Sequence, residues 1–265
     1  MKYKLGIIGL GNMGGAILNG LGNFDGKILV STLDYQNTIK SYPNADFIND
    51  NQFLAQNCQY ILMAVKPKDA PKILEEINQY ITNKNIIISI MAGIKISTIA
   101  RSVPNVGTVA RVMPNLAAKI NLACSGIAFF NETQQIKDFV VKIFENIGKV
   151  VVLDEDKMDA VTAISGSGIA YVYYFIRSLI ESGKSIGLSD EESKQLVLQT
   201  VLGGVGMVKH FPEQNIDDMI DAVCSKGGTT IEAIEVLKEK NFEETINLAV
   251  SAAYKKSIIL SRDKE

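Results

Sequence analysis

Three glycines punctuate the run Gly9-Leu10-Gly11-Asn12-Met13-Gly14, which follows the apolar segment Leu5 to Ile8 without a gap. Each has a chemical use at that spacing. The first permits a tight turn, the second lets backbone come close to a pyrophosphate, and the third packs a helix against a strand. Phosphate oxygens would then rest on unpaired N–H groups at the positive end of that helix. The bland alternative is a tight turn and nothing more. The next apolar segment ends Val30-Ser31-Thr32-Leu33-Asp34. An acidic side chain about 20 residues beyond such glycines ordinarily takes the ribose hydroxyls of NAD, and Asp34 has that spacing. Ser31 and Thr32 offer hydroxyl donors to the 2′-phosphate of NADP instead, with Lys40 in reach of one. No arginine is available there, because the four in the chain are Arg101, Arg111, Arg177 and Arg262. NADH and NADPH therefore both stay open.

Four more motifs are placed where chemistry is done. Ala64-Val65-Lys66-Pro67 closes a strand-like segment at the carboxyl edge where open α/β sheets bind ligands, and Pro67 suits the first turn of a following helix. Arg111-Val112-Met113-Pro114-Asn115 stops in a similar way, with Met113 read as packing. Ser165-Gly166-Ser167-Gly168 sets four small residues inside a helical stretch, where glycine costs about 1 kcal/mol relative to alanine. Their use would be to let a flat ring approach the backbone; the alternative is close contact between helices. Cys224-Ser225-Lys226-Gly227-Gly228-Thr229-Thr230 leads directly into Ile231 to Leu237. N–H groups and two hydroxyls there suit a carboxylate, and a plain helix cap is the alternative.

The elements that must carry these motifs follow from periodicity. Short β-branched runs near Leu5–Ile8, Ile28–Ser31, Tyr60–Val65, Ile86–Ile90, Val106–Val112, Ile127–Phe130 and Lys149–Val152 read as strands. Amphipathic stretches between them, Gly14–Leu21, Lys68–Tyr80 and Thr133–Ile147, read as helices. Past Asp154 the strand signal stops, and the period is helical over roughly 155–163, 168–186, 190–209, 215–223, 229–239 and 242–261. The expected fold class is α/β, with an N-terminal Rossmann-type doubly wound parallel sheet and then an all-helical C-terminal domain. Residues 1–154 would bind the dinucleotide, and residues 155–265 would bind substrate and dimerise. The run from Ile169 to Ile176 is apolar on nearly every side. It reads as a core helix of one chain or, preferably, as a helix buried against a second copy.

Composition narrows the classes. Apolar residues make up 47% of the 265 residues and charged ones 21%, which excludes a disordered or fibrous chain. The net charge is -2 and the basic residues are scattered singly, so no footprint for nucleic acid appears. Cys58, Cys124 and Cys224 form no Cys-x-x-Cys pair, which points away from disulfides and zinc and toward a reduced, cytoplasmic setting. The single histidine, His210, looks like a helix-terminal cation, and no metal site is expected. Met1 to Leu18 imitates a secretion signal, but glycines and Asn12 interrupt it. No segment approaches the roughly 20 apolar residues of a membrane span.

Together the motifs resemble the pyrroline-5-carboxylate reductase family over essentially the whole chain, in the order Gly9–Gly14, Ala64–Pro67, Arg111–Asn115, Ser165–Tyr171 and Ser225–Thr230. The last two are the specific ones. The resemblance implies reduction of a cyclic imine, 1-pyrroline-5-carboxylate, to L-proline by NADPH or NADH, in a homodimer or a larger homo-oligomer built from dimers. It implies that Thr32 and Asn51 lie along the adenosine ribose and that Val65, Lys66 and Pro67 flank the cofactor. It also implies that Ser225, Gly227, Gly228, Thr229 and Thr230 hold the substrate carboxylate, with Thr230 relaying a proton to the ring nitrogen. The chain departs from the family at Ile169 and Lys226, where proline is usual. Two alternatives remain at this point: a β-hydroxyacid dehydrogenase-like oxidoreductase and a nucleotide-binding regulatory paralogue. The first calls for a lysine four residues after Gly168, where this chain has Val172.

Overall fold

The computed structural model of the chain describes residues 1–22, 24–34, 36 and 42–262. Lys40 lies outside the described residues. Two compact units are present: Met1–Ile169 with the C-terminal segment from Ala252, and Ala170–Ser251.

The first unit is built on eight strands among the described residues: β1 Tyr3–Ile8, β2 Ile28–Ser31, β3 Ala45–Ile48, β4 Cys58–Met63, β5 Ile86–Ser89, β6 Thr108–Met113, β7 Ala123–Phe130 and β8 Gly148–Val152. They form one sheet in the order β3-β2-β1-β4-β5-β6-β7-β8. Helices α1 Asn12–Gly20, α2 Asn51–Asn57, α3 Ala70–Asn78, α4 Ile96–Ser102 and α5 Gln134–Glu145 join the strands. Ile7, Val30, Leu62 and Ile88 pack on one face with Ile17 and Phe144. Ile8, Leu29, Ile61 and Ile87 pack on the other with Leu54, Leu74 and Ile99. Burial on both faces is why Ile86-Ile87-Ile88 shows no polar alternation.

The expected sheet is present, with one strand reversed. β6 and β7 pair antiparallel, Val112 opposite Ile127. The link from Pro114 to Leu122 holds only a short 3-10 turn, Leu116–Ile120, too little for a parallel crossover of about a dozen residues or more. Three elements carry too weak a pattern to be read from sequence. β3 is an edge strand in which only Phe47 is buried, and α2 and α4 are seven residues each. The cysteines are unpaired, and burial pushes the Cys58 thiol up to about 12, so it stays protonated and unreactive.

After β8 come α6 Met158–Val161, a π-helical turn Thr162–Gly166, and α7 Gly168–Ser185. α8 Asp190–His210, α9 Ile216–Val223, α10 Thr229–Glu239 and α11 Phe242–Arg262 complete the chain. α8 opens on a capping box between Ser189 and Glu192 and closes on Lys209 and the exposed His210. The core-helix reading of Ile169 to Ile176 is corrected: α7 has no buried residue within the chain. Tyr174 is 65% and Phe175 44% exposed, so a single chain leaves this apolar helix uncovered.

One polar network ties the sheet to the segments beyond β8. Arg111 of β6, with 5% of its side chain exposed, reaches Glu155 Oε1 at 3.1 Å and Asp159 Oδ1 at 3.9 Å. Glu155 Oε1 also accepts the Ile96 N–H at 2.7 Å. Asp159 Oδ1 accepts the hydroxyls of Ser257 at 2.6 Å and Ser261 at 3.1 Å, both on α11. Replacing the cation strands two partly buried carboxylates. Because both retain some solvent, Arg111→Met is expected to lower the unfolding free energy by about 3 kcal/mol, the lower end for breaking a buried pair. Denaturant midpoints at constant slope check this.

Candidate functional site

Strand order reverses between β1 and β4, and the segments that leave these two strands line one cleft of about 710 Å³. Such a reversal is where open α/β sheets bind ligands. Parallel pairing of Ile8 with Met63 sets the two exits side by side. Gly9 turns at φ +89, and a Cβ there would lie 2.7 Å from Val65 Cγ1 and 2.9 Å from the Ala64 carbonyl oxygen. At Gly14 a Cβ would lie 2.8 Å from the Gly9 oxygen. Gly11 differs: nothing stands within 4 Å of a Cβ there. Gly11 is also the N-cap of α1 and supplies no side-chain acceptor. Open space thus faces the first N–H groups of a nine-residue helix, which is what an approaching pyrophosphate requires.

The other residues expected at this site divide by place. Leu10, Ser31, Thr32, Asn51, Ala64, Val65 and Lys66 line the cleft with Gly9 and Gly11. Asn12 lines a neighbouring cleft of about 590 Å³ beside Tyr42 and Lys119. Met13 packs against the core and Gly14 is buried, so both serve as scaffold. Pro67 begins the 3-10 turn Pro67–Asp69 that leads into α3. The sequence reading missed Asn49, Lys68, Lys72 and Glu76, which line the same cleft. The available signal was the four-residue spacing of Lys68, Lys72 and Glu76, which puts them on one polar face of the helix after Pro67. Ser31 is buried, and its hydroxyl donates to Asn51 Oδ1 at 2.7 Å. Asn51 Nδ2 donates to Glu76 Oε2 at 3.0 Å. Asp34, exposed, also lines the cleft.

Around the π turn, Ser165 Oγ donates to the Cys124 carbonyl at 2.9 Å and accepts from Asn115 Nδ2 at 3.1 Å. A Cβ on Gly166 would meet Met113 Cε at 2.8 Å, which accounts for that glycine and makes Met113 a packing residue. Gly168 faces open space. In the second unit, Ser225 to Gly228 forms a turn, with Gly227 at φ +70 and the Gly228 N–H bonded to the Ser225 carbonyl at 2.9 Å. Gly228 is the N-cap of α10 and makes no side-chain cap bond. Thr229 and the half-buried Thr230 are its first two helical residues, so Thr230 is not the cap. Among the described residues no cluster of His, Cys, Asp and Glu could hold a metal ion, and no helix is long and apolar enough to cross a membrane.

Residues 155–260 match the family described as pyrroline-5-carboxylate reductase dimerisation, and residues 4–93 match NADP oxidoreductase, coenzyme F420-dependent. The chain is 33% identical to the pyrroline-5-carboxylate reductase of Aquifex aeolicus, over 97% of both proteins. It superposes with a TM-score of 0.88 on the crystal structure of a Plasmodium falciparum pyrroline carboxylate reductase with NADP bound, at 35% identity, covering 98% of this chain and 99% of that one. For the pyrroline-5-carboxylate reductase of Coxiella burnetii the TM-score is 0.90 at 29% identity, with 98% and 99% covered. Glycines that crowd the β1–β4 exits, a glycine turn that opens α10, and identity sustained along the chain agree: this chain belongs to the pyrroline-5-carboxylate reductase family.

Proposed function

We propose that this chain reduces 1-pyrroline-5-carboxylate to L-proline with NADPH or NADH, the last step of proline biosynthesis. The observation that carries the reading is the open approach at Gly11 in the cleft where β1 and β4 part, in a chain of this family. Gly9, Leu10, Gly11 and Asn12 receive the pyrophosphate on a turn that Met13 and Gly14 hold in place, Ser31, Thr32 and Asn51 the adenosine ribose, and Ala64, Val65, Lys66 and Pro67 flank the dinucleotide. The reduced nicotinamide, when bound, supplies the hydride for the imine carbon. Ser225, Gly227, Gly228 and Thr229 hold the substrate carboxylate on N–H and hydroxyl donors. Thr230 hydrogen-bonds the ring nitrogen and relays its proton. An imine takes that proton readily from solvent, so no strong general acid is required. This suits a chain whose single histidine sits exposed at a helix end.

We assign dinucleotide binding to residues 1–154 and substrate binding with dimerisation to residues 155–265. The dimerisation family match begins at residue 155, and the uncovered apolar surface of α7 supports a homodimer or a larger oligomer built from dimers. Dependence on a reduced nicotinamide cofactor supports a cytoplasmic setting. A dehydrogenase of β-hydroxyacids would need its lysine where Val172 stands.

The direct test is oxidation of NADH or NADPH that depends on added 1-pyrroline-5-carboxylate; no turnover with either cofactor overturns the reading. Gly11→Val is expected to abolish binding of the dinucleotide in a protein that still folds, because its side chain meets only the ligand's space and the poorer N-cap of α1 costs only about 1 kcal/mol. Gly14→Val should instead lower the melting temperature by collision with the Gly9 carbonyl. Thr230→Ala is expected to lower kcat roughly ten- to a hundredfold with little change in cofactor affinity, the loss of one charge-assisted hydrogen bond in the transition state. Steady-state kinetics beside a melting curve separate this from a structural role. Light scattering should return a mass at least twice the 28.9 kDa of one chain.

A further inference from the structure

Ser31, Asn51 and Glu76 form a hydrogen-bonded chain along the cleft, and its polarity is dictated from one end. A carboxylate can only accept, so Asn51 must turn its amide nitrogen to Glu76, as the 3.0 Å contact shows. The Asn51 carbonyl oxygen then faces Ser31. An amide oxygen also only accepts, so the single hydrogen of the Ser31 hydroxyl is committed to it at 2.7 Å. Ser31 is left with lone pairs alone to offer a ligand.

The two nicotinamide dinucleotides differ in what they ask of that position. An unmodified ribose brings hydroxyl hydrogens that need acceptors, whereas a 2′-phosphate brings only acceptor oxygens and negative charge. Charge among the described residues of the cleft does not settle the choice, since Lys66, Lys68 and Lys72 are set against Asp34, Asp69 and Glu76, and Lys40 lies outside the described residues. The three lysines are exposed, where water screens their effect. Among the described residues, hydrogen-bond direction at the buried Ser31 is the feature that distinguishes the two ligands.

We propose that Glu76 is a positioning residue that acts through Asn51 to fix the Ser31 hydroxyl as an acceptor, and thereby makes this cleft prefer NADH over NADPH. The proposal rests on the dinucleotide site assigned above and adds to it the direction of selectivity and the residue that sets it. In Glu76→Gln the carboxamide can donate as well as accept. Asn51 is then free to turn, the Ser31 hydrogen is released toward a phosphate, and one negative charge leaves the cleft.

Titration of NADH and NADPH fluorescence on the full chain, without imine substrate, tests this beside melting curves. The native protein is expected to bind NADH more tightly, by roughly tenfold, the worth of about one hydrogen bond. Glu76→Gln should shrink or invert that ratio by about the same factor, with the melting temperature held. Ser31→Ala removes the acceptor, so it should weaken NADH several-fold and leave NADPH within about twofold. A ratio unchanged in a folded Glu76→Gln protein overturns the proposal, as does a Ser31→Ala protein that loses NADPH more than NADH. Should Glu76→Gln fail to fold, Ser31→Ala decides alone. A native protein that binds neither dinucleotide refutes the cofactor site itself, an outcome distinct from equal binding of both, which refutes only the selectivity.

Discussion

Where β1 and β4 lie side by side, the chain stops adding strands in one direction and begins adding them in the other, and two backbones must leave the sheet through the same gap. Side chains would fill that gap. Gly9 and Gly14 leave it open because each contact there is backbone against backbone or against the short side chains of Ala64 and Val65. The Gly9 N–H is held by the Ser31 carbonyl at 2.8 Å and the Ala64 N–H by the Ile8 carbonyl at 2.8 Å, so the edges of the gap are fixed by the ladder itself. The first turn of α1, the ends of β2 and β4 and the entry to α3 all take their places from this junction. The cleft is therefore a product of strand order, with a few side chains added to it.

The second constraint is electrostatic. A guanidinium as buried as Arg111 carries a large desolvation cost, which only close carboxylates offset. Glu155 and Asp159 supply them, and the oxygen of each that faces the guanidinium also accepts from a backbone N–H of α4 in the first case and from two hydroxyls of α11 in the second. One cation thus holds β6, the segment after β8 and the end of the chain together within the first unit. Directly beyond Arg111 on the same strand, Met113 packs beneath Gly166, and nearby Asn115 holds Ser165. The π turn is seated by contacts that begin at this ion pair's own strand.

The second unit poses the opposite problem, of apolar surface without cover. α7 buries no residue, and Leu202, Val205 and Leu248 of α8 and α11 are likewise exposed. Helices that are apolar on most sides are ordinarily interior helices, and water around such a surface favours its removal at about 25 cal/mol per Å². A two-fold partner offering the same surface removes it on both chains at once.

Much of this was legible from residue order. The glycine fingerprint, the positions of seven strands and the end of the strand signal near Asp154 follow from local spacing, because turn geometry and side-chain period act over a few neighbouring residues. The glycine turn that opens α10 was legible for the same reason. Weak local signals hid β3, α2 and α4, whose four to seven residues hold too few buried positions to set a period. The reversal of β7 was hidden because a strand's direction depends on the length of its connection and on which neighbour it meets. Glu76 was legible as a polar residue of a helix and nothing more. Only the tertiary structure set it against Asn51, and Asn51 against Ser31, three residues some 20 to 25 positions apart in turn. Sequence spacing governs what happens along the chain, whereas hydrogen bonds of this kind form across it, and their partners are chosen by the order in which the strands pair.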